Sequence, residues 1–198
     1  MSQQITASSL WEATKEEVTA CLRCPLHEGR NQTVFGEGNR KAKLVFVGEA
    51  PGADEDAQGV PFVGRAGKLF TDILQAVRIS REEVYITNIV KCRPPGNRNP
   101  QTEEMLACEG YLHTQLALIN PRILVTLGNV PTQWLLKTSE GITKIRGRWF
   151  DWKGIQVMPM FHPSYLLRNQ SNQKGSPKYL AWQDIQEVRR AWDALEEP

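Results

Sequence analysis

The chain carries its densest group of acidic residues directly after an apolar run. Leu44–Val47 is followed by the stretch GEAPGADED, Gly48 to Asp56, which holds two glycines, one proline and four acids. A plain turn needs only one or two of these residues. Glycines let the backbone approach a ligand closely, and acids at this density beside a buried strand indicate a functional site. The stretch therefore predicts a binding or catalytic loop at a strand end.

Four cysteines form a second group with chemical potential. Cys21 and Cys24 make a CxxC pair, and Cys92 and Cys108 lie far downstream with fifteen residues between them. In a reducing compartment these thiols are not expected to form structural disulfides. The CxxC spacing favours one four-thiolate site over four unrelated buried thiols. Zinc and an iron–sulfur cluster both accept four thiolates, and spacing alone leaves the two open.

Three further side chains could bind a flat, polar ring. Phe62 could stack on the ring, Asn88 at a strand end could make two directed hydrogen bonds to its edge, and His162 could stabilise negative charge. This combination suits a nucleobase that has been flipped out of a duplex. The alternative for Phe62 is an ordinary core residue, and the alternative for His162 is a core or helix-capping histidine.

Three common motifs are incomplete in the chain. Gly67-Lys68 resembles the end of a phosphate-binding loop, but Phe62 stands where the first glycine is needed and Leu69 replaces the serine or threonine. The stretch Gly48–Gly52 lacks the GxGxxG spacing of dinucleotide-binding turns. No GxSxG motif of serine hydrolases occurs. The sequence therefore argues against these three classes of site.

Alternating strand and helix patterns must position these residues. Apolar runs predict a hairpin between residues 148 and 158 and three strands, at Leu44–Val47, Val84–Val90 and Ile123–Leu127. Helical spacing predicts helices between the strands, one of them starting at Asn99. The pattern predicts a single domain over residues 1–198, with three α/β/α layers and a central, mostly parallel four-stranded sheet. In such a sheet the predicted loops would meet in one crevice at the carboxyl ends of the strands.

The two ends of the chain are predicted to be helical. A capping box at Ser9–Glu12 predicts a helix within residues 1–24 that ends in the CxxC. Ser176-Pro177 predicts the start of a last helix that runs to residue 196.

Composition limits the class of protein. With 198 residues, 40% hydrophobic and 23% charged, the chain fits one globular domain with a sizeable core. It contains no apolar run of membrane-spanning length and no signal-peptide pattern at its start, so we expect a cytoplasmic protein, and we expect it to be a monomer. A net charge of +2 permits nucleic-acid binding without arguing for it.

Taken together, four motifs resemble the family 4 uracil-DNA glycosylases, which contain an iron–sulfur cluster. The similarity runs from Cys21 to about Arg168, and the motifs agree in order and spacing: GEAPGADED, VPFVGRAG, TNIVKCRPPGNRNP and HPSYLLR. The resemblance implies the uracil-DNA glycosylase fold and a monofunctional enzyme that flips uracil out of single- or double-stranded DNA. Such an enzyme leaves an abasic site and free uracil. A related group captures DNA covalently through an insert before the third cysteine, but here Asn88–Lys91 leads directly into Cys92.

The resemblance also assigns roles to single residues. It implies a [4Fe–4S] cluster at the four cysteines and a catalytic group of His162, Glu49 and Glu55. The implied uracil-binding residues are Gly48, Glu49, Gly52, Phe62, Asn88 and His162. The implied DNA-binding residues are Ser164 and the wedge that enters the minor groove, Tyr165, Leu166, Leu167 and Arg168. Family 1 enzymes carry a water-activating aspartate at the position of Ala50, so the residue that activates water stays open.

Two other functions remain as alternatives. One is a non-catalytic DNA-binding module with an iron–sulfur or zinc site, which senses uracil without cutting. The other, weaker one is an electron carrier, which the large α/β domain and the base-like pocket disfavour. Incubation with a uracil-containing oligonucleotide followed by alkali would separate the first alternative from the enzyme.

Overall fold

A central sheet of six strands organises the protein. The computed structural model describes residues 6–195. Within them the order across the sheet is β1-β3-β2-β4-β6-β5, and the strands are β1 (Glu37–Gly38), β2 (Leu44–Gly48), β3 (Tyr85–Asn88), β4 (Ile123–Leu127), β5 (Phe150–Trp152) and β6 (Ile155–Met160). The four central strands are parallel, whereas β1 and β5 pair antiparallel at the edges. The predicted four-stranded sheet is thus the parallel core of a larger, mixed sheet.

Helices fill the connections between the strands. In the described part of the chain they are α1 (Ala7–Thr19), α2 (Leu26–Gly29), α3 (Ala53–Gln58), α4 (Arg65–Ala76), α5 (Thr102–Ile119), α6 (Asn129–Leu136), α7 (Ile142–Ile145), α8 (Pro163–Arg168) and α9 (Pro177–Asp193). A short 3₁₀ turn spans Pro95–Asn97.

Alternate residues of the buried strands face two separate cores. On β2, Val45 and Val47 pack in one apolar cluster with residues of α1 and α5. Leu44 and Phe46 pack in another cluster with residues of α4 and α9. This alternation follows from the two-residue period of a strand. Helices on both faces of a mostly parallel sheet make the three layers that the sequence predicted.

The N-terminal helix begins and ends earlier than predicted. Thr6 is the N-cap of α1, because its hydroxyl accepts from the Ser9 backbone N–H at 3.1 Å and the Ser9 hydroxyl accepts from the Thr6 N–H at 2.9 Å. The capping box is therefore Thr6 with Ser9, and the predicted pairing of Ser9 with Glu12 was wrong. Since α1 ends at Thr19, the CxxC follows the helix and does not lie in its last turn.

Two other helix starts can be compared with the sequence. The start of α5 lies later than predicted, because the Glu104 carboxylate accepts from the Gln101 backbone N–H at 2.7 Å and makes Gln101 the N-cap. The predicted start at Asn99 was therefore wrong. The start of α9 is as predicted, with Ser176 as the N-cap and its side chain accepting from the Tyr179 N–H.

The outermost residues carry no structural description. The predicted terminal helices extend into residues 1–5 and to residue 196, and these positions lie outside the described residues. Across the part of the chain that is described, no helix combines the length and the apolar character that crossing a membrane requires.

Candidate active site

The carboxyl ends of the parallel strands open into one cleft of about 640 Å³. Gly48 ends β2, Asn88 ends β3, and His162 follows the end of β6 by two residues. We call this space the strand-end cleft; it is lined by residues of the segments 49–55, 94–99, 128–143 and 161–168, together with Phe62 and Asn88. The three predicted loops are therefore brought together, as doubly wound sheets do at their strand ends.

Asn88 presents an unused hydrogen-bonding atom to the cleft. Its side chain is almost fully buried, with the residue 1% exposed, and its Oδ1 has no hydrogen-bonding partner in residues 6–195. A buried polar atom without a partner costs about 1–3 kcal/mol. Gly48 makes room for this amide, because a Cβ there would lie 2.4 Å from Asn88 Oδ1 and 2.6 Å from Phe62 Cζ. The site is therefore shaped for a ligand that supplies a donor.

Phe62 is held in an unusual backbone conformation beside His162. Its φ of 54° lies in the left-handed region, which costs non-glycine residues energy. The ring centroids of Phe62 and His162 are 5.8 Å apart, with 32° between the ring planes. The Arg81 guanidinium donates to the carbonyl oxygens of Pro61 at 2.7 Å and Phe62 at 3.1 Å. Arg81 thus fixes the ring, a role that no sequence signal had indicated.

Glu55 ties the acidic loop to the segment that carries Phe62. Its Oε1 accepts from the backbone N–H groups of Val63 and Gly64, both at 2.9 Å, and its Oε2 accepts from the Gly52 N–H at 3.0 Å. Both oxygens are thus engaged by the backbone. Glu55 lines the cleft, but its contacts are those of a residue that positions the loop around it.

The other acids of the loop have different surroundings. Glu49 lines the cleft, and its carboxylate has no hydrogen-bonding or ion-pair partner among the residues described. Burial raises the pKa of Glu49, because the charged form loses water. Asp56 is buried on the far side, where it accepts from the Asn31 backbone N–H at 2.9 Å and from Asn31 Nδ2 at 2.6 Å. Only Glu49 and Glu55 therefore face the cleft.

His162 is a neutral imidazole with a defined tautomer. It is the N-cap of α8, and its Nδ1 accepts from the Ser164 backbone N–H at 3.1 Å. Because a backbone N–H can only donate, the proton of the neutral ring lies on Nε2. Burial lowers the pKa of His162 to about 4; the positive charge of Arg168 also lowers this pKa, and the negative charge of Glu55 opposes the shift. At neutral pH the ring is therefore an uncharged Nε2–H donor.

The short helix α8 carries the predicted DNA-binding residues. Ser164 and Tyr165 line the cleft beside His162, and Arg168 is exposed at its rim. Leu167 is partly buried. Leu166 is 2% exposed and packs in an apolar cluster with Ile142 and Phe161. The assignment of Leu166 to the wedge was therefore wrong, because this side chain anchors the helix to the core.

One wall of the cleft had no assigned role in the sequence. It comes from the loop after Cys92 and includes Asn97, Arg98 and Asn99. Arg98 is held by two hydrogen bonds to the Glu104 carboxylate, at 2.6 and 2.9 Å. The loop belongs to the motif TNIVKCRPPGNRNP, but its approach to the cleft depends on tertiary packing.

All four cysteines line a second, small cavity. Cys21 and Cys24 are partly buried, Cys92 and Cys108 are buried, and none forms a disulfide. We call this space the thiol cavity. It lies between the segment after α1, the segment after β3 and α5, which carry the cysteines.

Each sulfur of the thiol cavity lies beside a hydrogen-bond donor. Arg30 Nη1 donates to Cys92 Sγ at 3.3 Å, and the other three partners are the backbone N–H of Leu26 for Cys24, the backbone N–H of Lys91 for Cys108 and the Tyr111 side chain for Cys21. Such donors suit thiolates that bind a metal centre. Burial raises the pKa of the Cys108 thiol to about 11, so binding a metal centre there would release its proton.

The four sulfurs of the thiol cavity are the donor set of a four-thiolate metal centre. In residues 6–195 no group of three or more His, Cys, Asp or Glu side chains converges closely enough to hold one metal ion. The residues that would hold a multi-iron group are Cys21, Cys24, Cys92 and Cys108.

The fold and the cleft define an α/β protein whose ligand site lies at the carboxyl end of a parallel sheet. The model of the Uracil DNA glycosylase superfamily matches residues 35–186. A type-4 uracil-DNA glycosylase of Thermotoga maritima is 50% identical over 85% of this chain and 88% of that protein. One of Saccharolobus solfataricus is 47% identical over 78% of this chain and 76% of that protein. A type-5 uracil-DNA glycosylase of Pyrobaculum aerophilum is 32% identical over 67% of this chain and 66% of that protein.

The chain therefore belongs to the uracil DNA glycosylase superfamily and, within it, to the type-4 group. The two type-4 proteins match it at higher identity, and over more of its length, than the type-5 protein does. The family resemblance that the four motifs indicated is confirmed.

Proposed function

We propose that this protein removes uracil from DNA by hydrolysing the N-glycosidic bond, which leaves free uracil and an abasic site. The observation that carries the proposal is the buried Asn88 amide, which has an unpartnered Oδ1 and borders the same cleft as Phe62 and His162. The type-4 relatives are named for this activity. A flipped nucleobase brings the flat ring and the polar edge that such a cleft can bind.

Asn88 selects the base. Uracil presents an N3–H donor beside the O4 acceptor, and the amide offers Oδ1 as the acceptor and Nδ2 as the donor. Cytosine reverses both groups, so it would leave the buried Oδ1 unpaired, and mismatches of this kind discriminate by roughly 10⁴–10⁵. Phe62 stacks on the ring, while Gly48 and Gly52 let the backbone approach it.

His162 acts on the transition state as a neutral hydrogen-bond donor. Cleavage of the glycosidic bond builds negative charge on the departing uracil and positive charge on the sugar. The Nε2–H of His162 donates to uracil O2 as this negative charge grows, while Ser164 holds the ring through Nδ1. A donor that is fixed in advance needs no reorganisation, and removing one such donor costs about 10²–10³ in rate.

Glu49 and Glu55 have separate roles. Glu49 has an unpaired carboxylate in the cleft, so it opposes the developing positive charge on the sugar and positions the attacking water. Glu55 is occupied by three backbone N–H groups, so it positions the Phe62 segment and adds negative charge near His162. Ala50 offers no carboxylate at the position of the family 1 aspartate, which leaves Glu49 to orient the water.

The residues of α8 that are not fully buried form the DNA-binding wedge. Tyr165, Leu167 and Arg168 would enter the minor groove and fill the space that the flipped base vacates. Ser164 would contact the backbone of the strand beside His162. We further propose that the protein acts as a monomer on single- or double-stranded DNA and that it is cytoplasmic.

The four cysteines are proposed to hold a [4Fe–4S] cluster. When bound, the cluster supplies a covalent link between the end of α1, the segment after β3 and α5. Protein purified without oxygen is expected to be brown and to contain about four iron atoms per chain. A colourless, fully active preparation with one zinc per chain would contradict the proposal.

The experiment that tests the activity uses oligonucleotides with one uracil, as single strands and opposite G or A. We expect strand breaks after alkali and none without it, because a monofunctional enzyme leaves an intact abasic strand. Binding without breaks would indicate the non-catalytic module instead, and the absence of both binding and breaks would leave the electron carrier. His162→Ala, which keeps the DNA-binding side chains of α8, serves as the control for contaminating glycosylase.

A further inference from the structure

A buried lysine lies directly behind the residue that is proposed to read the base. Lys91 is 1% exposed. Its ammonium group donates to the Asn88 carbonyl oxygen at 2.9 Å, to Thr87 Oγ1 at 2.6 Å and to Gln115 Oε1 at 2.7 Å. All three donor hydrogens are therefore used on uncharged oxygens. No aspartate or glutamate among the described residues forms an ion pair with it, and burying a charge in this way is expensive.

A wider polar network holds the lysine in place. Gln115 Nε2 donates to the Phe35 carbonyl at 2.8 Å and to the Tyr85 hydroxyl at 3.1 Å. Thr87 Oγ1 donates to the same Phe35 carbonyl at 3.0 Å. On the other side of the residue, the Lys91 backbone N–H contacts Cys108, which lines the thiol cavity. The network is fully connected, so it is rigid in the way that satisfied buried networks are.

The end of β3 needs this support because the sheet does not supply it on both sides. β2 pairs with β3 up to the partners Gly48 and Asn88. On the other side, β1 reaches only Tyr85 and Ile86, which leaves the last two residues of β3 without a neighbouring strand. The lysine network occupies that side and supplies a donor to the Asn88 carbonyl.

We propose that Lys91 is a positioning residue for base selection: it fixes the main chain of Asn88 and thereby the direction of its amide in the strand-end cleft. The inference rests on the proposed role of Asn88 as the base reader. It also links the thiol cavity to the cleft, because Lys91 lines the cavity and donates to the main chain of Asn88, which lines the cleft. Lys91 itself does not touch the base.

The experiment compares two substitutions in the same network. Lys91→Met keeps the length of the side chain but removes the donor to Asn88. Gln115→Leu is the comparison variant: it removes one of the three acceptors of Lys91 and the donor to Phe35, and we expect it to keep the bond from Lys91 to Asn88. Each variant is purified as the full chain without oxygen. Each is then tested in single turnover, at saturating DNA, on oligonucleotides that carry uracil or 2-pyrimidinone.

The comparison with 2-pyrimidinone isolates the contact between the Asn88 amide and the base. 2-Pyrimidinone lacks O4 and carries an acceptor at N3, so Asn88 cannot pair with it while Oδ1 is held toward N3. We expect Lys91→Met to lower the rate on uracil by about 10- to 100-fold, the range for a misplaced contact. The ratio of the uracil rate to the 2-pyrimidinone rate is expected to fall by the same factor. Gln115→Leu is expected to keep the wild-type ratio even though its urea unfolding midpoint falls. If Lys91 had only a structural role, the ratio would change in the same way in both variants.

The outcomes separate this inference from the proposed function. A wild-type rate ratio in Lys91→Met, or an equal fall of this ratio in Gln115→Leu, would overturn the role of Lys91. Asn88 would still be the base reader if Asn88→Ala lost the wild-type ratio. A wild-type ratio in Asn88→Ala would overturn both roles. If Lys91→Met does not fold, Lys91→Gln, which has a shorter, neutral donor, is expected to show a smaller shift in the same direction, and a wild-type ratio there would count against the inference.

Discussion

The strand-end cleft and the thiol cavity differ in how the protein treats their polar groups. In the thiol cavity each of the four sulfurs lies beside a donor that the protein itself provides, including Arg30 for Cys92. In the cleft, Asn88 Oδ1 is buried without a partner, and the Glu49 carboxylate loses water without gaining an ion pair. The protein itself supplies partners for the polar groups of the thiol cavity, whereas it leaves those of the strand-end cleft without partners.

This difference separates stability from function. An unsatisfied buried group lowers stability by about 1–3 kcal/mol, and in a cleft a ligand can supply the missing partner. Substitutions in the cleft should therefore change activity strongly and stability little. Substitutions of the side chains that donate to the sulfurs of the thiol cavity should do the reverse.

The largest expected effect is the loss of base selection in Asn88→Asp. A carboxyl group can accept from the cytosine amino group and, when protonated, donate to N3. We expect much weaker uracil cleavage and a trace of cytosine cleavage that rises as pH falls. The variant would thereby lose most of a discrimination between uracil and cytosine of roughly 10⁴–10⁵. Single-turnover rates on uracil and cytosine oligonucleotides between pH 5 and 8 measure this.

Asn88→Ala is the control for that prediction. It should lose uracil cleavage without gaining cytosine cleavage, and its urea unfolding midpoint should stay near the wild-type value. If both variants kept normal activity and selectivity, the backbone of Gly48–Gly52 would have to read the base.

A smaller effect is expected for His162→Ala. Removal of one fixed donor should lower single-turnover uracil cleavage by about 10²–10³, while the affinity for uracil-containing DNA changes little. Fluorescence anisotropy on the same oligonucleotide measures that affinity. A variant that cleaved at the wild-type rate but bound weakly would make His162 a DNA contact and would overturn its role in the transition state.

The sequence predicted what depends on local pattern. The buried apolar runs located β2 and β4, and the parallel order of the strands brought Gly48, Asn88 and His162 to one edge. It could not predict contacts that arise only after packing. Arg81 reaches the Phe62 carbonyl across nineteen residues, and Lys91 meets Gln115 across twenty-four.

The errors in the sequence analysis have the same origin. Thr6, Ser9 and Glu12 are all compatible with a helix start. Two reciprocal hydrogen bonds between Thr6 and Ser9 determine where the helix begins. Leu166 was grouped with the exposed residues of its motif, but the sequence does not reveal which face of a six-residue helix turns toward the core.

The buried histidine should also make stability depend on pH. The pKa of His162 falls from 6.5 to about 4 on folding, so the unfolded chain binds the proton more tightly. Its contribution to stability is therefore complete above pH 6.5 and is lost as pH falls toward 4, by about 3 kcal/mol at pH 4. Urea unfolding at pH 7 and pH 4, compared with His162→Asn, measures the difference. Equal pH dependence in the two proteins would mean that the ring is not held in its neutral form.

The smallest effect is expected beside the thiol cavity, and it should fall on stability alone. Arg30 donates to the carbonyl oxygens of Thr19 and Cys21 and to Cys92 Sγ. Arg30→Met keeps the apolar stem but leaves these acceptors without their donor, which should lower the free energy of unfolding by about 1–3 kcal/mol.

Arg23→Met is the matched control for that change. Arg23 is exposed, where it pairs with Glu17 at 3.4 Å and lies over the Tyr111 ring, and exposed pairs are worth only about 0–1 kcal/mol. Urea unfolding should therefore separate the two variants, whereas single-turnover cleavage per folded molecule should equal the wild-type rate in both. If Arg30→Met instead slowed cleavage at unchanged stability, the thiol cavity would act on the chemistry, and the division between a completed site and an incomplete one would not hold.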